Sequence, residues 1–230
     1  MKPMDRILAS GMELMKKYAG ITPVDAGEFS QIKVSGMKFY VSQYHIKDLG
    51  NLSVMTLRSV LMSMATFVIT PFEKNMPLLS TDFIYIFSKR KALVEFYDLV
   101  ADKNSSEYAG VLDSIRSLES RYSTLEDFTA NASWQDELMT TVLHKIGKKR
   151  DDEKLEKLFC DSITCYMEKA NELEKLTGEE RAGKIAVTQK YSDDLISKGG
   201  VSTNHFKKTL GEAKTKEFFD KVFFGSGTVK

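Results

Sequence analysis

The sequence predicts an α+β protein in which an antiparallel sheet from the first half of the chain is covered by helices. Three observations carry this. Apolar residues recur at intervals near two between Phe29 and Tyr97, and intervals near three and four replace them after Leu99. No internal repeat, low-complexity tract or Pro-rich linker divides the 230 residues, so one domain over residues 1–230 is expected.

The opening segment carries Ile7, Leu8, Met12, Leu14, Met15 and Tyr18 at helical spacing and breaks at Gly20 and Pro23, which predicts an amphipathic helix ending in a turn. From Phe29 to Tyr44, Ile32, Val34, Met37, Phe39, Val41 and Gln43 alternate around Ser35-Gly36, the pattern of two antiparallel strands and their turn. Apolar stretches at Leu52–Leu61 and Met62–Thr70 follow, the second closed by Pro71, which cannot donate to a ladder. Phe83–Phe87 and Ala92–Tyr97 flank the polar tetrapeptide Ser88–Lys91, a hairpin signature. Beyond Leu99, the spacings Leu112, Ile115, Leu118 and Leu138, Val142, Ile146 predict helices. Asp151 to Leu176 reads as one long amphipathic helix stopped at Thr177-Gly178. Gly199-Gly200 ends the next, and a last helix runs from Ser202 to Phe219.

Composition limits the partners. Lys+Arg 33 against Asp+Glu 32 leaves a formal net charge of +1, so no global field draws the chain to nucleic acid or an anionic membrane. Neither is expected as a partner, and any charged partner has to be met by a local patch. Asp5, Arg6 and Glu13 interrupt the apolar run that a signal peptide would need, and Ser59–Phe72 falls short of the roughly 20 residues that span a bilayer. Cys160 and Cys165, five apart on a helical pattern, point about 140° from one another. They form neither a CxxC site nor a disulfide, which fits a cytoplasmic location.

The chemistry-bearing motifs are few. No GxGxxG follows a strand, and there is no GxxxxGK[ST], HExxH or GxSxG. His45, His144 and His205 are scattered singly, so no metal site is expected. One constellation points to proton chemistry. Asp82 stands between the proline-stiffened segment Pro71–Pro77 and the apolar run Phe83–Phe87. An acid desolvated there would have a raised pKa and suit a proton donor near neutral pH; from the residues alone, a turn cap or strand end is the more ordinary reading of Asp82.

The residues around Asp82 also carry a resemblance. Residues 71–98, with their Met-Pro-Leu-Leu-Ser-Thr-Asp centre and the closing Tyr97-Asp98-Leu99, resemble the central hairpin of the ferredoxin-dependent bilin reductases. Phe206 to Phe224, with Leu-Gly-Glu-Ala and Val-Phe-Phe, looks like that family's closing helix, and Glu180-Arg-Ala-Gly-Lys-Ile resembles the segment before its substrate-side helix. The resemblance implies an α/β/α sandwich with a central antiparallel sheet, an architecture that red chlorophyll catabolite reductases share. It implies reduction of a linear tetrapyrrole such as biliverdin with no bound cofactor: ferredoxin supplies single electrons through a radical mechanism, and acids above and below the bilin supply protons.

Carried onto this chain, the resemblance makes Asp82 the sheet-side catalytic aspartate and Asp193 or Asp194 the helix-side one. Arg150 lies where the family has an arginine that pairs with a propionate, a task suited to a planar fork of donors. The family's strand histidine or asparagine corresponds to Ala65, so that relay is absent or altered, and a non-catalytic tetrapyrrole carrier on the same fold is the alternative. Thr66 beside it, and Met64 among 11 methionines suited to a soft apolar pocket, are expected to bind substrate. From Lys198 to Lys230, seven lysines stand against Glu212, Glu217 and Asp220, a surface where an acidic ferredoxin would dock.

Overall fold

The strands form one twisted, wholly antiparallel sheet. The computed structural model describes residues 1–229. Strands β1 (Ile21–Val24), β2 (Gln31–Val34), β3 (Met37–Ile46), β4 (Gly50–Arg58), β5 (Met62–Pro71), β6 (Leu78–Ile86), β7 (Lys89–Tyr97), β8 (Glu126–Asp127) and β9 (Met139–Lys148) pair in the order β1-β3-β4-β5-β6-β7-β9-β8, with β2 also on β3. From β3 to β7 consecutive strands are neighbours, as a chain of hairpins requires.

Both faces of the sheet are covered because its central strands are apolar on both sides. On β5, Ala65, Phe67 and Ile69 face one layer, made of α1 (Pro3–Tyr18), α2 (Ser106–Arg121) and α3 (Asp152–Glu172). Val68 on the same strand faces the other layer, made of α4 (Gly178–Lys198), α5 (Val201–Leu210), α6 (Glu212–Phe218) and a π-helical turn at Phe219–Phe223. The result is the expected α/β/α sandwich. Close approach on the first face depends on Gly11 of α1, because a Cβ there would lie 2.6 Å from the Phe159 ring of α3.

Four element assignments differ from the sequence reading, each for an identifiable reason. Val142 and Ile146 lie along strand β9, and Leu138 ends the short 3-10 helix Trp134–Leu138 just before it, so no α-helix forms here; a four-residue spacing satisfies a period of two as well as one of 3.6. The long helix ends at Glu172, and Thr177 is not its stop but the cap of α4, its hydroxyl accepting from the Glu180 amide. The last helix is broken at Gly211, whose φ of 83° ends α5 and lets α6 start in a new direction. Finally, β6 begins at Leu78 rather than Phe83, and the β6–β7 turn is Phe87-Ser88. Asp82 is therefore in the middle of a strand, not at a loop junction, and this fixes the direction in which it points.

Candidate active site

Strand alternation decides what Asp82 faces. Leu78 and Asp82 share one face of β6 with Ser80, Ile84 and Ile86, the face toward the α4–α6 layer. Register then places Thr66, Asp82, Leu93 and His144 side by side across β5, β6, β7 and β9. The next row toward one end of the sheet is Val68, Ser80, Glu95 and Val142; toward the other it is Met64, Ile84, Lys91 and Ile146. Met64, Asp82, Ile84, Leu93, His144 and Ile146 are only half-buried. Ile84, Leu93 and Ile146 belong to neither apolar cluster, so the layer that covers β3 and β4 leaves a trough over β5–β9.

The trough has defined walls. At one end Tyr97 packs on Tyr191 of α4 with ring centroids 5.4 Å apart, and Gln135 donates to the Tyr191 hydroxyl at 2.8 Å. Along the β9 edge, Phe128 stacks on the His144 ring at 5.3 Å, and the Trp134 indole donates to the Gly199 carbonyl at 2.8 Å, tying the 128–138 segment to the end of α4. A cavity of about 430 Å³ runs under this segment, lined by Asn131, Asp136, Met139, Val142 and His144 among others. It reaches His144 but not Asp82 itself. A second cavity of about 550 Å³ lies between α2 and α3, on the other layer.

Electrostatics single out Asp82. Burial among apolar strands pushes its carboxyl from the ordinary 3.8 up to about 6, a rise opposed by the Thr66 hydroxyl, which donates to Oδ1, and reinforced by the negative charge of Glu95. The acid is thus half protonated near pH 6 while one edge of it meets the open trough. Glu95 is buried and doubly bound: the Tyr97 hydroxyl donates to Oε2 at 2.7 Å, and His144 Nε2 lies 2.6 Å from Oε1. An ionised Glu95 can only accept, which places a proton on His144 Nε2.

The other site residues named from the sequence fall in three places. Thr66 and Met64 stand with Asp82 on the trough floor. Ala65 points the opposite way, into the α1–α3 layer, and it is Thr66 whose hydroxyl bonds Asp82. Asp193 and Asp194 lie outside the trough floor on α4. Lys216 bonds Asp193, and Lys190 and Lys198 hold Asp194 at 2.7 and 3.2 Å, so both acids are kept below the usual carboxylate range. Carboxylates stabilised in the ionised form are poor proton donors. Arg150 sits in the turn after β9 with its side chain 80% exposed and only a loose contact, 3.9 Å, to Asp151. It is free to meet a carboxylate entering from that end.

Glu95, Tyr97, His144 and Tyr191 were not anticipated as a group. Only Glu95 left a signal, as an acid between the apolar Leu93 and Tyr97 at alternate positions of the strand.

The lysine-rich C-terminal segment is largely neutralised. Lys198, Lys207, Lys214, Lys216 and Lys221 each pair with a carboxylate, and Lys230 lies outside the described residues. Among the described residues no helix is long and apolar enough to cross a membrane.

No protein-family model matches the chain. No curated protein matches it in sequence. Among solved structures it is similar to phytochromobilin synthase from tomato, solved in complex with biliverdin, with a TM-score of 0.79 and 12% sequence identity; the match covers 97% of this chain and 83% of that one. At this identity the likeness establishes a shared fold.

Proposed function

We propose that this chain is an oxidoreductase of the ferredoxin-dependent bilin reductase type, binding a linear tetrapyrrole such as biliverdin in the trough over β5–β9 and protonating it from Asp82. The observation that carries the reading is the placement of Asp82: a carboxyl with a pKa of about 6 on the open floor of an apolar trough, in a fold shared with a protein solved with biliverdin. Reduction of one conjugated double bond takes two electrons and two protons. The electrons come one at a time from a reduced carrier such as ferredoxin, which is oxidised in turn. Asp82 supplies one proton to the radical that the first electron leaves, is reprotonated from solvent through the open side of the trough, and supplies the second proton after the second electron. The half-buried Met64, Ile84 and Leu93 supply the apolar floor, and Arg150 at the rim pairs with a propionate.

Mixing the purified protein with biliverdin and recording the visible spectrum tests binding: a shifted, sharpened band is expected. Loss of that band under a ferredoxin-reducing system, without oxygen, separates the enzyme from the carrier. The carrier remains the second reading because the position facing Asp82 is a threonine and because Asp193 and Asp194 are held ionised by lysines, leaving a single well-placed acid.

Thr66 tunes that acid. Its hydroxyl stabilises the ionised carboxylate, so Thr66→Val, which keeps the shape and removes the donor, should move the apparent pKa of the reaction upward from about 6 by roughly one pH unit. The pH dependence of bilin reduction reads this directly, and an unchanged profile would detach Thr66 from the proton transfer.

A further inference from the structure

We infer that the end of the sheet formed by the β4–β5 and β6–β7 turns is a docking surface for an anionic lipid bilayer. The inference does not depend on the bilin reading. Large apolar side chains exposed to solvent are concentrated there: Val60 is 100% exposed, Phe87 71%, Leu61 59% and Ile86 41%. Because Met62 pairs with Ile86, Ile86 with Lys89 and Lys89 with Lys148, both turns and the end of β9 lie at one edge of the molecule. The two tips are two strands apart, about 10 Å.

Folding does not account for these residues. Phe87 has φ of 52°, a left-handed conformation that costs a bulky side chain roughly 1–2 kcal/mol and that Gly, Asn or Asp would adopt more easily. Its ring is directed to solvent rather than into either core cluster. An exposed aromatic in a strained turn serves neither packing nor turn chemistry.

The charge around the tips is positive. Lys89, Lys91, Lys148 and Lys149 are exposed and have no carboxylate within salt-bridge distance among the described residues. Two of the acids at this end are neutralised, Asp5 by Arg58 at 2.5 Å and Asp152 by Arg90 at 2.6 Å; Asp151, which accepts from the Lys148 amide at 2.9 Å, and the exposed Glu126 and Glu153 stand against Lys89, Lys91, Lys148, Lys149 and Arg150. The net charge of +1 therefore hides a local excess of cations, contrary to the expectation that no membrane partner is involved.

Shape favours a bilayer over an acidic protein. Protein interfaces bury aromatic anchors in pockets at a flat or concave centre. Here the apolar groups crown two separate convex turns with lysines between and beside them, which suits insertion into headgroups with phosphates meeting the ammonium groups. The same edge is the open mouth of the trough, since the row Met62, Ile86, Lys89 and Lys148 lies two rows from the one holding Asp82.

Flotation of the full chain with vesicles tests the inference. The protein should float with vesicles of phosphatidylserine and phosphatidylcholine, not with phosphatidylcholine alone, and should be released as salt shortens the Debye length. Two variants, one carrying Val60→Ser, Leu61→Ser and Phe87→Ser and the other Lys148→Glu and Lys149→Glu, should each lower the partition about tenfold or more. Circular dichroism and melting temperature should stay as in the parent because these side chains are exposed. If either variant does misfold, the other decides. The inference is overturned if the parent stays with the soluble fraction on anionic vesicles at low salt, or if both folded variants partition like the parent. It is equally overturned if an acidic protein such as ferredoxin is retained through these lysines while vesicles are not.

Discussion

Asp82→Asn should lower bilin reduction by about 10²–10⁴-fold, the usual worth of a positioned general acid, while leaving biliverdin binding intact. Asparagine is nearly isosteric and its Oδ1 still accepts from Thr66, so the β5–β6 pair has no reason to rearrange. What it lacks is the proton. A bilin that has received one electron would then persist as a radical, visible by electron paramagnetic resonance for far longer than in the parent protein. Normal rate and yield in this variant would mean that the proton comes from water or another side chain, and the assignment of Asp82 would fall even if the bilin reading stood.

The same substitution should change stability in the opposite sense. The folded-state pKa of Asp82, about 6, lies above the ordinary 3.8, so the folded chain holds more protons than the unfolded chain between these values. Stability therefore falls as pH rises from about 4 to 6, and above 6 the ionised, desolvated carboxylate is a standing cost. The shift corresponds to roughly 3 kcal/mol as an upper bound, reduced because part of the carboxyl meets solvent. Asparagine carries no such cost, so at pH 7 the variant should resist urea better than the parent. A site residue whose removal stabilises the fold is what an acid kept for chemistry looks like.

The sheet was legible because alternation and turn residues are local signals, and the sheet from β3 to β7 is built of sequential hairpins. Strand β9 was not, since its spacing of four fits two periods and its pairing with β7 crosses more than 40 intervening residues. The site divides in the same way. Asp82 could be singled out because a lone acid beside Phe83-Ile-Tyr-Ile-Phe is anomalous in any register. Its neighbours Glu95, His144 and Tyr191 come together only through the β7–β9 ladder and the return of α4, which no local pattern encodes. Ala65, expected from the resemblance at the relay position, faces the α1–α3 layer while its neighbour Thr66 faces Asp82, because in a strand one residue exchanges the two faces.

The largest loss of stability should come from Phe159→Ala, about 3–5 kcal/mol out of the 5–15 typical of a whole domain. Phe159 of α3 is completely buried and meets Phe67 of β5 and Phe83 of β6 edge-on, with centroids 5.0 and 5.3 Å away. Another side of the ring meets the backbone of α1 at Gly11, which has no side chain to fall into the vacated space. Rings held by a sheet and a helix backbone cannot readily close a cavity, so the upper part of the range applies. The melting temperature should drop by roughly 10 °C or more and the urea midpoint should move with little change in slope. Phe67 and Phe83 are the chain neighbours of Thr66 and Asp82, pointing to the opposite face, so the packing that Phe159 completes also fixes the strands that aim the acid into the trough. A loss below about 1 kcal/mol would show that α1 and α3 close over the gap, and that the position of Asp82 is held by the ladder alone.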